Sequence, residues 1–186
     1  LGRGLFNPHS QIRVRLYTSE DEPLDAPFFA ARVRRAVALR SGVLGLSDPA
    51  GACRLVFSEG DELSGLTVDR YGHHLVVLLT GLGIAGHLDP ILDTLEEVLA
   101  PEGILLRTEK GTGPEERLVR PDRPQGGQLP EGPIVSAGGT FRLDVDLRLR
   151  LDPRPRVAQR RNRARVAAYA AGRSVADVCA YTGGFS

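Results

Sequence analysis

A chain of 186 residues with 41% hydrophobic and 25% charged residues is long enough to bury a core and sits within the composition of ordinary soluble globular proteins. It contains no apolar run near the roughly 18 to 20 residues that a membrane span needs, and no basic-then-apolar leader, so a soluble cytoplasmic protein without a membrane partner is expected. Cys53 and Cys179 lie in separate apolar segments without CxxC or Cys/His spacing, which argues against a disulfide framework or a zinc site and for buried structural thiols.

The chain has no methionine, and both of its ends read as cut. A net charge of +1 conceals an asymmetry: the stretch from Leu147 to Arg165 carries +7 and the remainder −6. Arginine forks pair with phosphate oxygens, so this block reads either as a nucleic-acid footprint or as a solvated helix face.

In chain order, Ile12, Val14 and Leu16 alternate with Gln11, Arg13 and Arg15, which predicts a half-buried strand with its apolar row inward. Its partner is Gly2 to Phe6, across the turn Asn7-Pro8-His9-Ser10. Asp25 and Pro27 start a helix over 27–41, with Phe29, Val33, Ala36 and Val37 as its apolar stripe and Gly42 as its stop. Strands follow at Arg54–Phe57, Gly65–Asp69 and Leu75–Leu79. A helix with Leu88, Ile91, Leu92, Leu95, Val98 and Leu99 on one side comes next, and then a strand at Ile104–Arg107. This is a compact α+β domain with a mixed sheet. Residues 110–133, rich in glycine and proline, read as an exposed connector, and Gly138-Gly139 as the tip of a hairpin. Pro153 and Pro155 allow a helix from about Arg156, with Ala164, Ala167, Ala168 and Ala171 as its small apolar face and Gly172 as its stop. Ser174–Cys179 reads as a strand, followed by the loop Tyr181 to Phe185. His9, His73, His74 and His87 have no partner spacing and read as turn or surface residues.

A helix, a strand bearing an acid and a Gly-Gly loop form the entry to a doubly wound nucleotide-binding domain, in which backbone N–H groups approach a ligand. Asp177-x-x-x-Tyr181-x-Gly183-Gly184 fits that entry without GxGxxG. Three blocks, Leu5 to Arg15, Arg54 to Gly72 and Asp177 to Ser186, resemble those of the PUA-domain-containing family of 23S ribosomal RNA (cytosine-C5) methyltransferases, in the family's order and spacing.

The resemblance implies the end of a PUA β-barrel at residues 1–18, the central α+β domain at 22–110, a connector and hairpin at 111–150, and the start of a Rossmann-like α/β methyltransferase domain at 151–186. It implies S-adenosylmethionine as cofactor, with Asp177, Tyr181, Thr182, Gly183, Gly184, Phe185, Gln159, Arg160 and Asn162 around it. It also implies large-subunit ribosomal RNA as partner, met by Arg148, Arg150 and Arg163, and leaves room for a homodimer. The nucleophilic cysteine is expected after Ser186, so that this chain alone is inactive.

One segment departs from the family. Where it carries Lys-Thr-Gly, two aromatics and Leu-Asp before Gln-Arg, this chain has Asp152-Pro153-Arg154-Pro155-Arg156-Val157-Ala158. The lysine-to-aspartate exchange inverts a charge and the prolines remove N–H donors. A noncatalytic RNA-binding protein with a degenerate cofactor site is therefore a second reading. A dinucleotide-dependent oxidoreductase is a third, lacking the glycine fingerprint and any account of the middle block.

Overall fold

The computed structural model describes residues 2–108, 116–118, 121–137, 142–148 and 160–178. Strands β1 (Arg3–Phe6) and β2 (Val14–Thr18) pair antiparallel. Their turn is tied by Asn7, whose N–H donates to the Arg13 carbonyl at 2.8 Å and whose Oδ1 accepts the His9 N–H at 3.1 Å. The predicted alternation is present, but its buried side is the opposite one. Ile12, Val14 and Leu16 are 57%, 60% and 61% exposed, whereas Tyr17 is buried and Leu5 packs on the core. The reason is register: Phe6 and Gly4 pair with Val14 and Leu16, leaving Leu5, Arg15 and Tyr17 to face the central domain. There Tyr17 meets the Phe29 ring edge-on at 5.7 Å, and Arg15 finds acidic partners.

Helix α1 (Ala26–Ala38) begins as expected, with Asp25 Oδ1 accepting the Phe28 N–H at 3.1 Å and Pro27 in the first turn. It buries Phe28, Phe29, Val33, Ala36 and Val37. Gly42 does not stop it. One π-helical turn, Leu39–Val43, prolongs the helix, and the left-handed backbone comes at Gly45, φ +62°. Within this turn the Leu44 N–H reaches the Leu39 carbonyl at 3.0 Å, while the Arg40 guanidinium is drawn to Asp61.

The central sheet has the order β3-β4-β5-β6-β7: β3 (Ala52–Phe57), β4 (Leu66–Tyr71), β5 (His74–Leu79), β6 (Gly103–Thr108) and β7 (Arg123–Gly127). β5 and β6 run parallel and the other neighbours antiparallel, so the sheet is mixed. The crossover between the parallel pair carries a short helix α2 (Leu82–Ala85) and helix α3 (Leu88–Leu99). Helices α1 and α3 share one face, on which Phe29, Val33, Ile91 and Leu95 enclose Leu55, Val68, Val77 and Leu106. All six residues of β5 are buried, as befits a central strand covered on both faces.

β7 lies inside the segment read as an exposed connector. Glycine there serves close approach rather than looseness: at Gly127, φ +63°, a β-carbon would stand 2.0 Å from the Glu102 carbonyl oxygen. Composition marks such a stretch as a turn, and only the neighbouring strand shows why it is a strand. The hairpin β8 (Ile134–Ala137) and β9 (Arg142–Val145) is antiparallel as expected. It covers the second face, where Val145 and Leu147 pack on Ala52, Tyr71, Val76 and Leu105.

Helix α4 (Arg160–Ala170) precedes Gly172 at φ +70°. Its predicted apolar face is not buried: Ala164, Ala167, Ala168 and Ala171 are exposed, because no described element packs on them. Residues 174–178 form no strand, since none of the described strands pairs with them. Two histidines are also placed differently from their reading. His74 is buried in β5, and His87 stacks on Phe29 with ring centroids 4.4 Å apart, where burial lowers its pKa. Cys53 is buried, as expected, while Cys179 lies outside the described residues.

Candidate functional site

Three segments distant in sequence meet at Glu116, which is 6% exposed. Asn7, at the end of β1, donates from Nδ2 to the Glu116 carbonyl at 2.9 Å and to its Oε2 at 3.0 Å. Ser10 Oγ and Arg15 Nη2 donate to Oε1, the latter at 3.1 Å. The other amino group of Arg15 reaches Ser64 Oγ at 3.3 Å and Glu59 at 3.4 Å, and Ser64 Oγ donates to Glu59 at 2.6 Å. The Tyr17 hydroxyl donates to the Ser64 carbonyl. Burial alone would raise the pKa of Glu116, but the bonds from Ser10, Arg15 and Asn7 together hold it below its ordinary value. Glu59 is also held low, first by Ser64. For Tyr17 burial dominates and pushes the phenol far up.

A second constellation crosses the sheet. Arg54 on β3 forms a two-pronged pair with Asp69 on β4, at 2.8 and 2.9 Å, directly opposite in register. Its guanidinium also lies over the Phe57 ring at 5.3 Å. Arg40 pairs with Asp61 and donates from Nε to the Arg54 carbonyl at 3.2 Å. Both constellations draw on the block from Arg54 to Gly72, which accounts for much of that unusual string through ion pairs and turn contacts.

Of the residues nominated from the sequence, Arg148 follows β9 and is exposed, its N–H donating to Asp146 at 2.8 Å. Arg160, Asn162 and Arg163 begin α4, with Asn162 exposed and Arg163 half-buried, and Asp177 is half-buried beyond Gly172. Arg150, Gln159, Tyr181, Thr182, Gly183, Gly184 and Phe185 lie outside the described residues. Asn162 and Arg163 thus share one helical turn, and Arg148 stands on a separate segment. Among the described residues no group of three or more His, Cys, Asp or Glu is arranged to hold a metal ion, and no helix is long and apolar enough to cross a membrane.

The Glu116 cluster went unread in the sequence. Asn7, Ser10 and Arg15 stand in a block singled out there, but Glu116 lies 101 residues beyond Arg15 in a stretch without periodicity. A buried carboxylate of this kind has no local signature.

No family model matches the chain. Over its whole length it is 34% identical to the ribosomal RNA large subunit methyltransferase I of Shewanella frigidimarina (strain NCIMB 400), and 33% identical to that of Tolumonas auensis (strain DSM 9187 / NBRC 110442 / TA 4). In each case it spans about half, 47%, of the relative. A solved structure from Streptococcus mutans, assigned as a SAM-dependent methyltransferase, superposes on 89% of this chain and 42% of its own, with TM-score 0.66 and 18% identity. A crystal structure assigned as a methyltransferase complexed with SAH covers 93% of this chain and 43% of its own, with TM-score 0.68 and 19% identity. The mixed sheet with its flanking helices is therefore a fold found in methyltransferase structures, and the chain is similar from end to end to about half of a ribosomal RNA large-subunit methyltransferase.

Proposed function

We propose that this chain is part of a large-subunit ribosomal RNA methyltransferase that transfers a methyl group from S-adenosylmethionine to C5 of a cytosine. The observation that carries the reading is identity of 34% sustained over all 186 residues. The three sequence blocks support the cytosine-C5 class. On this reading residues 1–18 close a PUA module, the Rossmann-like domain opens after residue 150, and the protein works in the cytoplasm on ribosomal RNA.

Attack of C5 on a methyl sulfonium requires a nucleophile to add first at C6, and a cysteine thiolate is the usual group. Cys53 is unsuited, being buried in the core between sheet and helices. The family resemblance puts the nucleophile after Ser186 rather than at Cys53 or Cys179. When bound, S-adenosylmethionine supplies the electrophilic methyl group. The Asp177 carboxylate could accept hydrogen bonds from its hydroxyl or amino groups, the Asn162 amide could both donate and accept, and residues Tyr181 to Phe185 would complete its site. Arg148, Arg150 and Arg163 pair with RNA phosphates.

The test is methyl transfer from labelled S-adenosylmethionine to unmodified ribosomal RNA by a protein carrying this chain at the length of its relatives. Label in 5-methylcytidine of large-subunit RNA is the expected result; label at another base or in another RNA overturns the specificity. The Asp152 to Ala158 sequence favours a second reading, a noncatalytic RNA-binding protein. It predicts RNA binding with neither methyl transfer nor calorimetric binding of the cofactor.

A further inference from the structure

The β1–β2 hairpin enters the apolar core through little more than Leu5 and Tyr17, and its outer row of Phe6, Val14 and Leu16 is exposed. Its seating therefore leans on polar contacts, and several of these converge on one carboxylate. The turn contributes Asn7 and Ser10, the strand contributes Arg15, and all three donate to Glu116. Glu116 is itself held in place awkwardly. Arg117 next to it adopts a left-handed backbone, φ +53°, while Leu118 is buried in the core. A non-glycine residue keeps that conformation only where its neighbours over-determine it. Here they are Leu118 on one side and the clasped carboxylate on the other.

We propose that Glu116 is a keystone coupling the β1–β2 hairpin to the stretch Glu116–Leu118, so that the two are seated or released together while the β3–β6 sheet stays folded. Removing the carboxylate frees the turn and the strand at once and lets Arg117 relax. Removing Asn7 takes away its side-chain hydrogen bond to the Glu116 carbonyl and loosens the same residues from the far side. Coupling of this kind is reciprocal by linkage. Its use rests on the methyltransferase reading, in which the hairpin belongs to the RNA-binding module and residues 116–118 precede the cofactor-binding part of the chain. Its existence does not.

Hydrogen–deuterium exchange of the whole chain tests it without RNA or cofactor, so the outcome is independent of the functional assignment. Glu116→Gln should speed exchange across residues 3–18 fivefold or more and leave the β4 and β5 amides at the wild-type rate. Asn7→Ala should speed exchange in peptides covering Glu116 to Leu118 by a similar factor. Ile91→Val, which trims the core elsewhere, should do neither. Less than fivefold change in the hairpin of Glu116→Gln, or acceleration of hairpin and β5 together, overturns the proposal. If Glu116→Gln does not fold, the reciprocal effect of Asn7→Ala decides by the same criterion.

Discussion

Asp69 illustrates how closely the individual charges are matched. It is 2% exposed, and a carboxylate at that depth persists only with a strong partner, which Arg54 provides through two parallel bonds. Asp69→Ala leaves the guanidinium with solvent on one side and the Phe57 ring beside it, so the cost is tempered by hydration. A loss of about 2 kcal/mol in urea unfolding at pH 7 is expected, below the full cost of orphaning a buried charge. A change under roughly 0.5 kcal/mol would show that the pair is energetically idle.

The two low carboxyls make a prediction about acid. Glu59 and Glu116 are held below their ordinary 4.5 in the folded chain, so each binds protons more weakly there than when unfolded. Their contribution is therefore complete above the unfolded value and is lost as pH falls through the folded values. The urea midpoint should decline below about pH 4.5, and the decline should be shallower in Glu116→Gln, which has no such proton to gain. Equal slopes in both proteins would mean that Glu116 is not stabilised as a carboxylate. Tyr17, pushed upward by burial, plays no part in this range.

At the scale of elements, α3 shows which parts of a periodic pattern matter. Leu88, Ile91, Leu92 and Leu95 are buried, while Val98 on the same predicted stripe is 39% exposed, in the last turn before the left-handed cap at Ala100, where Leu99 packs on the core instead. Leu95→Ala should therefore cost about 2–5 kcal/mol and Val98→Ala under about 1 kcal/mol, measured by chemical denaturation. Comparable losses at the two positions would mean that Val98 packs in solution. Edge strand β3 is protected by side chains rather than by another strand: Asp61 accepts the Phe57 N–H at 2.6 Å and Arg40 donates to the Arg54 carbonyl. Such contacts occupy backbone groups that would otherwise template pairing with another chain. The π-helical turn that prolongs α1 and the acidic turn after β3 are thus two halves of one arrangement, joined by the Arg40–Asp61 pair.

For the whole molecule, similarity to relatives about twice its length sets the expectation for activity. On the proposed reading, in which the nucleophile falls after Ser186, the chain assayed alone should transfer no measurable methyl group to ribosomal RNA; Cys53, the described cysteine, is buried. Label incorporation above that of a heat-denatured control would place the catalytic group within these 186 residues and overturn the assignment.

Local sequence determined the helices α1, α3 and α4, the strands β3 to β6 and the hairpin β8–β9, because periodicity, capping and glycine turns act within a few residues. The Asp25 cap, the stripe of α3 and the Gly72 turn at φ +59° are of this kind. It also carried the family resemblance, through three blocks, in two of which the structure shows ion pairs. Three matters were decided only in three dimensions. Alternation in β2 says that one side is buried but not which, and register with β1 chose the side bearing Arg15 and Tyr17. Glycine-rich Arg123–Gly127 became a strand because β6 lay close enough to require the absence of β-carbons. The carboxylate of Glu116 gathers donors from more than 100 residues away, and no local pattern encodes a partner at that distance. Burial and pairing are properties of the assembled chain, so they appear only when the separate elements meet.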